Sequence, residues 1–159
     1  LEALGVDVVE LSGGSYEAPA MQGQTRDDTT LAREAYFLEF AQALVSKTDI
    51  PLMTTGGIKR AEVAEEVIEQ GCALVGLASA LAITPDLAKK WQQEWAYSGI
   101  IPHCSWKDKS LASLANMAMV RRQLRRLGNN LTTLRNPSPL WSLILDMLHR
   151  KKMTKRDVG

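Results

Sequence analysis

Two short apolar stretches, about twenty residues apart, constrain this chain more than any other feature. Pro51-Leu52-Met53-Thr54-Thr55-Gly56-Gly57-Ile58 and Ala73-Leu74-Val75-Gly76-Leu77-Ala78-Ser79 each run from buried-type residues into small ones. Between them, Lys59 to Gln70 reads as a helix, with Ala64, Val67 and Ile68 inward and Glu62, Glu65, Glu66 and Glu69 outward. Strand, helix, strand is a βαβ unit, which implies parallel strands and a right-handed crossover. Both strand ends then share one edge of the sheet. Glycine at that edge lets an anion approach the backbone, and the following helix offers free N–H groups and the positive end of its dipole. A glycine pair after a strand also serves as a plain tight turn, and Ser79 as a plain helix cap. The second small-residue end at matching spacing favours a phosphate at Gly56 and Gly57.

The rest of the chain extends this alternation. Leu1 to Leu4 reads as a last helical turn stopped by Gly5, and Val6 to Leu11 as a strand broken by Ser12-Gly13-Gly14-Ser15. Residues 16–28 form a long loop, with Tyr16 read mainly as loop packing. Thr29 or Thr30 caps a helix to about Ser46, with an inward stripe of Phe37, Phe40, Ala41, Leu44 and Val45. Cys72 to Leu77 is the next strand. Near-continuous apolar strands predict a sheet covered on both faces. Beyond it, residues 86–96 predict a helix with Trp91 and Trp95 packed at i, i+4, and residues 97–108 an irregular link. Lys109 to Leu127 predicts a helix with Leu111, Leu114, Ala115, Ala118 and Met119 inward, ended by Gly128. Pro137-Ser138-Pro139 starts a last helix with Leu140, Leu143, Ile144, Met147 and Leu148 apolar, and residues 150–159 predict a frayed end.

The 159 residues are 45% apolar and 23% charged, which suits one globular domain with a real core and excludes global disorder. No run is long and apolar enough for a membrane helix, and no secretory signal is visible, so no membrane partner is expected. Two distant cysteines, Cys72 and Cys104, point to no disulfide framework and to a cytoplasmic setting. His103 and Cys104 are too few ligands for zinc, so no metal is expected. Residues 1–100 hold 7 basic and 15 acidic side chains, and residues 101–159 hold 12 and 3. Arg121, Arg122, Arg125 and Arg126 form two i, i+4 rows. They read as a solvated face, or one paired with the acidic first part, rather than as a nucleic-acid footprint, because no aromatic residues interleave with them. The first residue is Leu1, already inside a periodic pattern, so the natural protein is expected to start earlier.

Several of these residues also resemble a known family. Val8-Val9-Glu10-Leu11-Ser12-Gly13-Gly14, Arg33-Glu34-Ala35-Tyr36-Phe37, Thr55-Gly56-Gly57 and Val75-Gly76-Leu77-Ala78 resemble the C-terminal half of the old yellow enzyme family, the FMN-dependent NAD(P)H oxidoreductases. Lys107-Asp108-Lys109, Arg121 to Gly128 and Asn136-Pro137-Ser138-Pro139 are similar to the tail of one bacterial branch. The resemblance implies an α/β fold: strands six to eight of a (β/α)8 TIM barrel over residues 1–96, then a helical C-terminal extension over 97–159. It implies FMN as cofactor, NAD(P)H as reductant, and a small-molecule electron acceptor of the activated alkene or quinone class. Ser12 and Gly13 would lie near the flavin ring, Gly56 and Gly57 would face its phosphate, and Ala78 and Ser79 would end the eighth strand. Ser79 stands where the family usually carries a phosphate-gripping arginine, so a bidentate charged contact is replaced by a hydroxyl. The catalytic residues belong to earlier strands and none is in this sequence, so the chain alone is expected not to turn over. The alternative is a non-catalytic relic or partner-binding half-barrel. Either reading leaves open sheet edges, and predicts self-association or a need for the missing half.

Overall fold

The computed structural model describes residues 4–12 and 38–157. The chain divides into two compact units, Leu1–Leu81 with Asp86–Gly99, and Ala82–Pro85 with Ile100–Gly159. The long loop at 16–28, the Arg33–Phe37 segment and the predicted cap at Thr29 or Thr30 lie outside the described residues.

The first unit is built on a parallel sheet of three short strands, β1 (Val9–Leu11), β2 (Leu52–Thr55) and β3 (Leu74–Gly76), in that order. It also carries α1 (Leu38–Val45), α2 (Ala61–Glu69) and α4 (Leu87–Gln93), while α3 (Ser79–Ile83) follows β3 and belongs to this unit only through Leu81. The strands are shorter than the sequence predicts, for local reasons. Val9 N donates to Pro51 O, and Pro51 has no N–H of its own to carry the ladder back toward Val6. Cys72 N donates to Val67 O, so that residue still belongs to the turn that ends α2. Gly71 makes this turn with φ 94°, and a Cβ there would lie 2.8 Å from Val45 Cγ1 on α1. Glycine is required twice over at that point, by conformation and by close approach.

Alternation along β2 sets the core. Leu52 and Thr54 are buried, and with Leu11, Ala41, Ile58, Val63, Val67 and Cys72 they occupy the helix-covered side. Burial pushes the Cys72 thiol up, so it is held neutral as a core residue. The opposite side departs from the expectation of a sheet covered on both faces. Register places Glu10, Met53 and Leu74 in one row there, and Leu74 is 46% and Val8 41% exposed. Phe40 and Ile68, predicted inward, are also exposed. The sheet covers the stripe of α2 centred on Val63 and Val67, and Ile68 falls at its margin. Of the two tryptophans predicted to pack, only Trp91 is half-buried. The helix stops at Gln93, Trp91 Nε1 donates to Tyr97 O at 3.0 Å, and Trp95 is exposed.

The second unit contains the helical hairpin α5 (Lys109–Gly128) and α6 (Pro139–Asp157). Asp108 caps α5 by accepting from Leu111 N at 3.0 Å. Proline at the first position of α6 has no N–H to leave unsatisfied there. The buried face of α5 is Ala112, Ala115, Ala118, Met119 and Gln123, with Cys104 and Trp106 against part of it; Leu111 and Leu114, predicted inward, are exposed. Gly128 is the last helical residue, and the left-handed position falls at Asn130, φ 55°. Fully buried Gln123 acts as a backbone surrogate: its amide donates to Leu134 O at 3.0 Å and accepts from Leu134 N at 2.8 Å.

On α6 most of the predicted apolar stripe lies off the buried face, with Leu143 alone among those five half-buried. Ser142 and Asp146 are buried, while Leu140, Ile144, Met147 and Leu148 are exposed, and the helix continues through the predicted frayed end to Asp157. Arg121 grips Asp146 through Nε and Nη2 at 3.1 and 2.8 Å, and Arg125 Nη1 adds a third bond at 2.9 Å. One of the two arginine rows, Arg121 with Arg125, thus pairs with an aspartate of the basic tail. Burial alone would push the Asp146 carboxyl up. The hydrogen bonds and charges of the two arginines outweigh it and hold the carboxyl below its ordinary range.

Two outcomes follow from this packing. Because the folded Asp146 value lies below the unfolded one of about 3.9, its stabilisation is complete above about pH 4 and is lost as pH falls through the lowered value. Asp146→Asn should cost about 2 kcal/mol at neutral pH and flatten the acid limb of thermal melts. The cost is below the usual range for a broken buried pair because the arginines are partly solvated. Thr54 is fully buried and its hydroxyl has no hydrogen-bond partner. Thr54→Val keeps the branched shape and removes that orphan, so urea unfolding should show a gain of about 1 kcal/mol.

Candidate functional site

Parallel pairing carries the C-terminal ends of all three strands to one edge. The last rungs join Leu11 to Thr54, Thr54 to Val75 and Thr55 to Gly76. Ser12 follows β1 and is exposed; Gly13 lies outside the described residues. Gly56 is buried with φ 135°, and Gly57 is half-buried with φ 70°. Ala78 is exposed, and Ser79 is half-buried as the first residue of α3. Five of the six predicted positions can therefore be placed, all just beyond the strand ends.

Two consecutive positive-φ glycines turn the main chain sharply at the end of β2, in conformations that side chains strain to adopt. Next to them, Thr55 Oγ1 donates to Gly76 O at 3.1 Å, so that hydroxyl is spent inside the sheet. A Cβ on Gly76 would sit 3.0 Å from Thr55 Cβ. Among the described residues, the edge is thus lined by backbone and by small or hydroxyl side chains. Ser12, Gly56, Gly57, Ala78 and Ser79 include no carboxylate to repel an anion, and no acid or base for proton transfer near neutral pH. These residues can bind and position; they hold no nucleophile–base pair. Among the described residues no group of three His, Cys, Asp or Glu could hold a metal ion. Cys104 is buried in the core of the second unit.

The helix after the glycine pair starts later than the sequence predicts. α2 begins at Ala61, Ile58 is buried in the core, and Gly99 N donates to Lys59 O at 2.7 Å beside a bridge between Arg60 and Ser98. Residues 98–99 therefore clamp the exit of the glycine turn. The sequence predicts only an irregular link there. The one available signal was Gly99, where a Cβ would meet Leu87 Cδ2 at 3.0 Å. Arg60 gives α2 no side-chain cap, which leaves the positive end of the helix without a capping oxygen from that residue.

A family model described as Histidine biosynthesis protein matches residues 28–119, more than half of the chain. Among curated proteins, the chain is 40% identical over 91 residues to the NADH-dependent flavin oxidoreductase iliE of Hypocrea jecorina (strain QM6a), covering 54% of this chain and 23% of that protein. It is 37% identical over 93 residues to the NADH-dependent flavin oxidoreductase iccE of Talaromyces variabilis, covering 54% and 22%. It is 31% identical over 99 residues to the 4,4'-dithiodibutanoate disulfide reductase of Rhodococcus erythropolis, covering 60% and 25%. The matched stretch spans about a quarter of the length of these relatives. No solved structure matches at the same stringency.

The glycine turn is open to a direct test by substitution. Gly56→Ala should lower stability by about 2 kcal/mol and Gly57→Ala by about 1 kcal/mol, read by thermal unfolding without ligand, because φ 135° is less accessible to alanine than φ 70°.

Proposed function

Because the chain belongs to the histidine biosynthesis protein family, a TIM-barrel family, and is an α/β chain with a small parallel sheet, we propose that it forms strands six to eight of such a barrel in an NADH-dependent flavin oxidoreductase. The observation that carries the reading is 40% identity over 91 residues to a protein of that name. The family description names a pathway rather than a reaction, whereas the similar proteins above are all named as oxidoreductases or reductases.

On this reading the strand-end edge holds the phosphate of FMN. The residues suit a phosphate in two respects: the main chain at Gly56 and Gly57 carries no side chain, and Ser79 offers a hydroxyl donor. They lack a fixed cation at Ser79, so affinity rests on neutral donors and is weaker than a guanidinium would make it. Ser12 would border the ring, and Ala78 would end the neighbouring strand beside it. When bound, the flavin would supply the hydride relay between NADH and an electron-poor acceptor of the activated alkene, quinone or disulfide class. The groups that orient the acceptor and donate protons lie on this reading in other barrel strands, and this chain alone does not turn over.

A second reading rests on the half-exposed sheet face at Val8 and Leu74: a non-catalytic half-barrel that docks on a partner or on its own copy.

Flavin fluorescence titration separates the two. FMN should bind at least about tenfold tighter than riboflavin, and Ser79→Arg should tighten FMN about tenfold further while leaving riboflavin unchanged. Equal affinity for FMN and riboflavin, or indifference to Ser79→Arg, overturns the phosphate assignment and favours the docking reading. Reduction of an enone or quinone by this chain with FMN and NADH overturns the claim that the chemistry needs the rest of the barrel.

A further inference from the structure

A second constellation lies entirely within the helical hairpin, beyond residue 119 where the family match ends. A cleft of about 320 Å³ opens beside α5 and α6. Arg122, Arg125, Arg126 and His149 line it, with Asn129 at the end of α5. Leu131 and Leu145 supply an apolar wall, and among the described residues no carboxylate lines the cleft.

The arginines are held rather than loose. Arg122 Nη1 donates to Ser142 Oγ at 3.3 Å, Arg125 Nη1 to Asp146 Oδ1 at 2.9 Å, and Arg126 Nε to Thr132 O at 2.7 Å. Each bond uses one of five guanidinium N–H groups, so most of the donor capacity is unspent. Arg125 Nη2 is buried with no partner. The charge is also unbalanced. Asp146 is the acid in this cluster, and it already serves both Arg121 and Arg125. Guanidinium groups gathered around one committed carboxylate repel each other, and an anion relieves that repulsion.

The C-terminal end of a helix normally repels anions. Here its carbonyls are occupied: Asn129 N donates to Arg125 O and Arg126 O, Asn130 N to Leu127 O, and Leu131 N to Arg126 O, while Asn129 Nδ2 also donates to Arg125 O. The cleft volume is at the small end of the range for ligand sites, enough for one ring or a short chain with an anionic head.

We propose that this cleft binds a small organic phosphate, its phosphate held by Arg122 and Arg126 with His149 beside them, and its apolar body against Leu131 and Leu145. The site is independent of the flavin reading, since it shares no residue with the strand-end edge.

The test uses the full chain, phenyl phosphate as probe, and phenol and inorganic phosphate as controls, with heteronuclear NMR as readout. Phenyl phosphate should shift the signals of the His149 ring, the Asn129 side-chain amide and the Leu131 and Leu145 methyls. It should bind at least about fivefold tighter than inorganic phosphate, because the apolar wall contributes, and phenol should not bind. Added salt should weaken it. Arg122→Gln leaves the Ser142 hydroxyl its bond to Ser138 O at 2.6 Å, so the hairpin keeps its fold while affinity drops at least about fivefold. Arg126→Gln is the second variant and should do the same. Shifts confined to Gly56 and Gly57, binding of phenol equal to that of phenyl phosphate, no binding, or unchanged affinity in both variants each overturn the proposal.

Discussion

The rung that joins Leu11 to Thr54 and Thr54 to Val75 sets much of the first unit. Side chains on a strand alternate, so one register decides every face at once. It sends Leu11, Leu52 and Thr54 toward the helices, and Glu10, Met53 and Leu74 to the other side. It also aligns three strand ends, so that Ser12, Gly56, Gly57, Ala78 and Ser79 follow one edge. A slip of one residue would exchange the two faces and bury Glu10. The cost of a buried unpaired carboxylate makes that alternative inaccessible.

The second unit depends on a different interaction. Polar side chains join its two helices: Arg121 and Arg125 neutralise buried Asp146, and Arg122 reaches buried Ser142. A buried ion pair of this kind is a weak source of net stability, but an unpaired carboxylate in the same place is strongly unfavourable. The pairing therefore helps fix the relative rotation of the two helices, which turns Leu140, Ile144, Met147 and Leu148 outward. The same rotation brings Arg122, Arg126 and His149 to a common cleft.

The edge and the cleft have complementary chemistry. The edge has backbone and hydroxyl donors without a fixed cation. The cleft has fixed cations and an apolar wall without a glycine turn. Among the described residues, neither contains an acid–base pair arranged for catalysis.

The alternation of elements was legible in the sequence because helical and strand periods differ and because Gly71 and Gly56-Gly57 punctuate them. The position of the edge followed from that alternation alone, since a βαβ crossover leaves strand ends on one side. Inward faces were legible only in part. Apolarity predicts Ala41, Val67, Phe40, Ile68, Leu111 and Leu114 inward; Ala41 and Val67 are buried, and the other four are exposed. Hydrophobic periodicity reports which residues can be buried; it does not report which partner surface is present to bury them. The clamp of residues 98–99 on Lys59 and Arg60, the Gln123–Leu134 pair and the Asp146 fork join residues far apart in the chain, or choose among several equivalent arginines, and no local pattern encodes such choices. The sequence by itself determined the strand–helix order, the glycine turn and the shared edge, because these follow from backbone sterics and chain connectivity. Tertiary structure decided which apolar residues stay in solvent and which arginines converge, because those depend on helix rotation and on where a buried carboxylate finds its donors.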